Sequence, residues 1–413
     1  MKILPHKNLF IGITEALSNV FFNHKYADRE VERMLKSNSK WGSKDRAFVA
    51  ETIYDCVRWR RLIEASMGRE NSPENIWEFV GTWFVLQKQK LPPWEEFKRL
   101  NHHGIAGRKS KAMNDFAVRE SIPDWLNELG INELGKKAWG TEIIRMNQKI
   151  PTVIRVNTLK TDRKKLQEIL ENEDVKTEII HFDENQNDDP YPEALALIGK
   201  PNITRTDAFK NGLFEIQDAG SQLIAPFLKV EPGMRIVDAC AGAGGKTLHL
   251  SALMQNKGQI YALDIHDWKL NELKKRAKRN GVQNIQTKRI DSTKVIKRLA
   301  ETADRLLIDA PCSGLGVLSR NPGAKWKLTQ EFIDEMMQIQ QRILDEYAVM
   351  VKPGGAMVYA TCSILPGENQ RQVAQFLKNH TEFNLIEEKQ HLPSETGFDG
   401  FYMAYLVKKN EFR

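Results

Sequence analysis

Two short stretches carry residue types able to do covalent chemistry. "IDAPCSGLG" (308–316) sets a carboxylate, Asp309, three positions before a thiol, Cys312, and "TCSILPGENQ" (361–370) carries a second thiol, Cys362. A lone buried cysteine is usually just a small hydrophobe. Each of these two, however, follows an apolar run, "DRLLIDAP" or "GAMVYATC", that reads as a strand. If those strands lie side by side, both thiols and Asp309 face one cleft, which is the arrangement that nucleophilic catalysis uses. A histidine-assisted cysteine hydrolase is disfavoured, because none of the nine histidines stands where the sequence predicts an activating base.

A second constellation lies upstream. "DACAGAGGKT" (238–247) sits between a short apolar run, "RIVDAC", and a helix beginning near Lys246. Gly242, Gly244 and Gly245 let backbone approach a ligand closely, and the helix N-terminus favours negative charge. A phosphate-binding P-loop would require glycine at 240, where the chain has Cys240. Asp264 closes the next strand, "GQIYALDI", where a carboxylate can accept hydrogen bonds from ribose hydroxyls, and Asp291 follows the third, within reach of an adenine amino group. Either acid alone also has a helix-cap reading, the weaker of the two. Taken with the glycine loop they describe an adenosine-containing cofactor, and the lack of a second dinucleotide half argues against NAD.

These residues need elements to position them. From 226 to 413 strand and helix patterns alternate, which predicts a doubly wound α/β sheet of Rossmann-like type with ligands bound beyond the strand ends. A long helix there places Met336, Ile339, Ile343, Tyr347 and Met350 on one face, taken as core. Residues 151–225 read as a small α/β module, with strands in "PTVIRVNTL", "VKTEII" and "GLFEIQD" and an acidic surface insertion at 183–193. Residues 1–150 read as helices, among them 43–66 with Ser43 as N-cap, and 72–86 opening on Ser72-Pro73-Glu74.

Composition narrows the partners. The 413 residues are 41% hydrophobic and 28% charged, with a formal charge of +7 that points to an anionic partner, nucleic acid before anionic lipid. No stretch approaches the roughly 20 apolar residues of a membrane span, and no signal peptide is evident. The four cysteines show neither disulfide nor zinc spacing, which implies reduced thiols, a cytoplasmic location and no metal. Monomer is the default expectation. Arg320, Lys325 and Trp326 are candidates to clamp phosphate and stack on a base, the run Lys274, Lys275, Arg276, Lys278, Arg279 to track a backbone, and Arg58, Arg60 and Arg61 around Trp59 to contact RNA.

The motifs "PTVIRVNTLK", "GLFEIQDAGSQL", "VDACAGAGGKT", "DAPCSG", "VKPGG", "TCSILPGENQ" and "DGFYMA", in that order, make the chain resemble the Sun-type RNA 5-methylcytosine methyltransferases that use S-adenosylmethionine. "KDRAFVAETIYDCVRWR" (44–60) is similar to part of the NusB-like helical domain preceding the catalytic region in bacterial 16S rRNA enzymes of that family. The resemblance implies an all-α NusB-like domain (1–150), an RRM-like module (151–225) and a class I methyltransferase domain (226–413). It implies that Cys240, Ala241, Gly242, Ala243, Gly244, Gly245 and Lys246 contact the cofactor, with Asp264 on its ribose and Asp291 near the adenine. Asp309 would lie at the cofactor edge and hold the target cytosine, Cys362 would be the nucleophile, and Cys312 would aid product release. Gly242 and Ala243 stand where the family usually has alanine and proline, and Lys269 where arginine is common. The substrate implied is RNA, with 16S rRNA favoured and tRNA or 23S rRNA open. A DNA cytosine methyltransferase, with Cys312 attacking, and a non-catalytic RNA-binding factor are the rivals.

Overall fold

The alternating pattern after residue 226 folds, in this computed structural model, into one seven-stranded sheet; the structure describes residues 6–98, 100–180 and 191–410. In chain order the strands of the protein are β1 (Val153–Val156), β2 (Thr177–Ile179), β3 (Ala194–Leu197), β4 (Phe214–Ile216), β5 (Arg235–Asp238) and β6 (Gln259–Asp264). They continue as β7 (Ile285–Arg289), β8 (Ala303–Asp309), β9 (Val351–Thr361), β10 (Phe383–His391) and β11 (Phe401–Lys408). The large sheet runs β10-β11-β9-β8-β5-β6-β7. Strands β7, β6, β5, β8 and β9 are parallel, as helical crossovers require, while β11 is antiparallel to both β9 and β10. Residues of β8 and β9 such as Leu306, Ile308, Met357 and Tyr359 are wholly buried, so their near-continuous apolar runs mark strands covered on both faces.

The pairing of β8 with β9 sets Asp309 opposite Ala360. The expected neighbours are therefore neighbours, and both cysteines leave the sheet from the same edge. The order reverses direction between β5 and β8, and the glycine loop emerges from β5 there.

The second sheet has order β2-β3-β1-β4 with every pair antiparallel. With helices Arg163–Asn172 and Asp207–Lys210 between its strands, this is the split β-α-β ferredoxin-like arrangement. Ile154, Val156, Leu195, Leu197 and Phe214 bury one face against Leu166 and Leu170 of the first helix. β3 was not expected from sequence, since Ala-Leu-Ala-Leu carries little strand propensity; two flanking strands impose it. The expected acidic insertion at 183–193 falls mostly outside the described residues.

By contact the described chain forms two compact units: residues 1–147 with 318–329, and 148–317 with 330–413. In the first, all helical, Phe10, Ile13, Leu17, Ile53, Phe79 and Val80 form the core. The expected helix over 43–66 is two, Ser43–Arg58 and Arg60–Met67, with Gly42 rather than Ser43 at the N-cap. Ser72 forms a capping box with Asn75, as its position before Pro73 suggested. Among the described residues no helix is long and apolar enough to cross a membrane.

The long helix Gln330–Tyr347 corrects one expectation. Its buried positions are Ile333, Gln340, Leu344 and Tyr347, and Met350 just beyond it is core as expected, whereas Met336, Ile339 and Ile343 are half-buried. A glutamine in the core was invisible to a reading that tracks apolar periodicity.

Candidate active site

The ends of β5, β6, β8 and β9 supply the site, with Asp291 just beyond β7. After β5 the chain turns through Ala239–Gly244 into the helix Gly245–Leu253. Gly244 caps that helix at φ +89°, and a Cβ there would lie 2.5 Å from Leu273 Cγ, so only glycine fits. At Gly242 and Gly245 a Cβ would instead project into open space, leaving one side of the turn bare backbone. That bare side, at a helix N-terminus, suits a ligand with a carboxylate and a polar nucleoside.

Asp264, at the end of β6, is 7% exposed. Its Oδ2 accepts from the Gly242 N–H (2.9 Å) and its Oδ1 from the His266 N–H (2.8 Å), with Lys269 Nζ 4.0 Å from Oδ2. The carboxylate thus ties the glycine turn to the neighbouring strand end. Asp291, two residues beyond β7, is exposed, and its Oδ1 accepts from the Ser292 hydroxyl at 3.0 Å. Asp238, which sequence reading left unassigned, is 1% exposed and accepts from the Thr247 hydroxyl at 2.6 Å. Burial pushes its carboxyl up to about 7 against that bond.

Lys246 reaches across to β8, where its Nζ donates to Asp309 Oδ2 at 2.7 Å. Burial works to lower this ammonium, but Asp309, then Cys362 and Asp238, outweigh it and hold the group above its ordinary value. The two sulfurs, Cys312 Sγ and Cys362 Sγ, are 3.3 Å apart. The Cys312 thiol is pushed well up, first by its bond to Cys362 and then by burial. Burial does the same to Cys240. One region of β5, β8 and β9 therefore brings together Cys240, Lys246, Asp309, Cys312 and Cys362, as their positions in the sequence suggested.

Two guanidiniums hold the glycine turn from behind. Arg155 on β1, 2% exposed, donates to Gly245 O at 2.8 Å and to Gln217 Oε1; burial lowers it to about 10. Arg276 donates to Ala243 O at 2.8 Å and pairs with Glu215 of β4 at 2.8 Å. Burial raises the Glu215 carboxyl, yet Arg276, with Arg279 and Asn280, brings it below the usual range. The open face of the ferredoxin-like sheet is thus used to back the turn. Sequence reading missed these roles: "PTVIRVNTL" showed a strand, not that its arginine points at a loop ninety residues on.

Other expected RNA contacts are placed differently. Lys325 is 3% exposed, its Nζ 3.5 Å from Asn147 Oδ1, and Trp326 Nε1 donates to Val57 O at 2.7 Å. Both belong, with Arg320, to the 318–329 segment of the helical unit, where Lys325 is buried and Trp326 is half-buried. Arg58, 5% exposed, donates to Met146 O (3.0 Å) and Ser319 O (2.7 Å), Arg60 pairs with Glu64 (3.0 Å) and Arg61 with Asp124 (2.7 Å). In the basic run, Arg276 and Arg279 serve Glu215, leaving Lys274, Lys275 and Lys278 exposed.

Residues 225–407 match the family model described as 16S rRNA methyltransferase RsmB/F, and residues 122–185 one described as an RsmF/B-like ferredoxin-like domain. "Probable ribosomal RNA small subunit methyltransferase B" of Bacillus subtilis is 34% identical over 96% of this chain and 97% of its own. A protein of the same description from Synechocystis is 37% identical over 64% of this chain, and the match spans 58% of that relative. Among solved structures, the crystal structure of PH0851 superposes with a TM-score of 0.82 at 25% identity, covering 99% of this chain and 100% of that one.

Proposed function

Because the chain belongs to the RsmB/F family of 16S rRNA methyltransferases, we propose that it methylates carbon 5 of a cytosine in 16S rRNA through a transient bond between Cys362 and the base. The observation that carries this reading is the 3.3 Å approach of Cys312 and Cys362 beside the Lys246–Asp309 pair. S-adenosylmethionine, when bound, supplies a methyl group on a sulfonium, which a carbon nucleophile can take. The bare side of the glycine turn at Gly242 and Gly245, with Asp264 and Asp291 at the adjoining strand ends, fits such a cofactor.

Carbon 5 of cytosine is a weak nucleophile until something adds at carbon 6. Cys362 is the residue for this: its sulfur lies beside the Lys246–Asp309 pair, whereas the bond to Cys362 and burial push the Cys312 thiol well up. Asp309, braced by Lys246, holds the pyrimidine edge, and the Lys246 ammonium beside it offsets the negative charge that builds as sulfur adds. The carbon 5 proton then passes to water, and the Cys312 thiol gives its proton to the departing Cys362 sulfur as the carbon–sulfur bond breaks. The base must leave its stack to reach the cleft, so a single-stranded or unfolded RNA segment is the expected substrate.

Replacing each cysteine separately tests this, with methyl transfer to 16S rRNA followed by radiolabel and bisulfite mapping. Cys362→Ala should abolish transfer, whereas Cys312→Ala should accumulate a covalent protein–RNA adduct. A Cys362→Ala protein that still turns over would refute the assignment, and Cys312 would then be the nucleophile to consider.

A further inference from the structure

The turn Pro366–Glu368 follows Cys362 and carries a carboxylate that is fully buried. Taking a carboxylate out of water costs several kcal/mol unless donors surround it. Here Glu368 accepts from the Ser313 N–H (2.7 Å), the Ser313 hydroxyl (2.5 Å), the Ser363 hydroxyl and Gln340 Nε2 (3.1 Å). Ser313 directly follows Cys312, and Ser363 directly follows Cys362. One carboxylate is therefore bonded to the chain neighbour of each thiol.

Further bonds tighten the same knot. Gln340 also donates to Pro311 O (2.9 Å), Tyr359 Oη to Glu368 O (2.7 Å), Asn369 Nδ2 to Ser363 O (2.9 Å), and the Gly316 N–H to Cys362 O (2.9 Å). This accounts for the buried glutamine in the long helix. The titratable groups facing Cys312 are Cys362, Glu368 and Tyr359, with the Lys246–Asp309 pair acting on Cys362. A negative charge at Glu368 opposes a thiolate at Cys312.

We propose that Glu368 is a positioning residue that spans the two cysteine turns and sets the Cys312–Cys362 separation. The proposal rests on the cysteine chemistry above and deepens it. The carboxylate is fully buried, so it acts through both serines and through charge.

Glu368→Gln keeps the shape and removes the charge. S-adenosylmethionine affinity by calorimetry should stay within ~2-fold, since the glycine turn is untouched, while methyl transfer to 16S rRNA should fall ~10²-fold, as expected for a lost charged hydrogen-bond hub. A second arm uses no RNA. In a Cys362→Ala background, alkylation of Cys312 is followed against pH by peptide mass mapping, with and without Glu368→Gln. Removing the carboxylate should move half-alkylation to lower pH, which a purely structural role would not do. Turnover of Glu368→Gln within ~3-fold of the parent, or an unmoved alkylation curve, overturns the proposal. Should Glu368→Gln fail to fold, Ser313→Ala and Ser363→Ala carry the test: each should cost ~10-fold in turnover, and no loss in either overturns it. Failure of the cysteine assignment is read separately, from turnover by Cys362→Ala alone.

Discussion

Gly245→Ala separates fold from cofactor binding at a single methyl group. Gly245 opens the helix Gly245–Leu253, and nothing lies within 4 Å of where its Cβ would sit. Alanine in a helix is worth roughly 0.5–1 kcal/mol over glycine, partly through the unfolded chain. The unliganded protein should therefore be as stable as the parent or melt about 2 °C higher. The same methyl enters the space assigned to S-adenosylmethionine. One methyl forced into a close contact costs about 1–3 kcal/mol, which is roughly a 5- to 150-fold rise in Kd. Differential scanning fluorimetry without ligand and calorimetric titration with S-adenosylmethionine measure both quantities on the same preparations. Gly244→Ala is the contrast: at φ +89°, with Leu273 Cγ 2.5 Å from its Cβ, it should lose stability before any ligand is added. Cofactor affinity of Gly245→Ala within ~2-fold of the parent, at unchanged stability, would refute the placement of the cofactor on this turn.

Arg155→Met removes the donor to Gly245 O from behind the turn and should weaken S-adenosylmethionine binding ~10-fold; Arg155→Lys, which restores a donor, should recover part of the loss, as read by the same titration. Lys325 offers a stability test with a defined sign. Burial, then Arg58, lowers its ammonium from 10.5 to about 7, so the unfolded chain binds a proton that the folded one resists over that window. The cost is full below about pH 7, of order 5 kcal/mol, and fades as pH rises toward 10.5. Lys325→Met should thus raise the melting temperature at pH 6.5 by several degrees, and by much less at pH 10, in thermal scans. An equal gain at both values would show that the buried charge is not the cause.

Local pattern was enough to reveal the parallel strands, the glycine turn, the acids after β6 and β7, and two thiols at adjoining strand ends. These are short-range features: a strand needs a few apolar residues, and a turn needs glycine where backbone must pass close. The edge strand β10 was less legible, because "FNLIEEKQH" is largely exposed and mixed in character, so its strand state rests on pairing with β11. What polar and charged residues do was decided by the tertiary structure. Arg155, Gln340, Glu368, Lys325 and Arg58 all look like surface residues in the chain, since nothing local distinguishes a solvated side chain from one satisfied by a distant partner. Their donors and acceptors lie up to 261 positions away, as for Arg58 and Ser319. Burying such a group is tolerable only where those partners converge, and that convergence exists in the folded molecule alone.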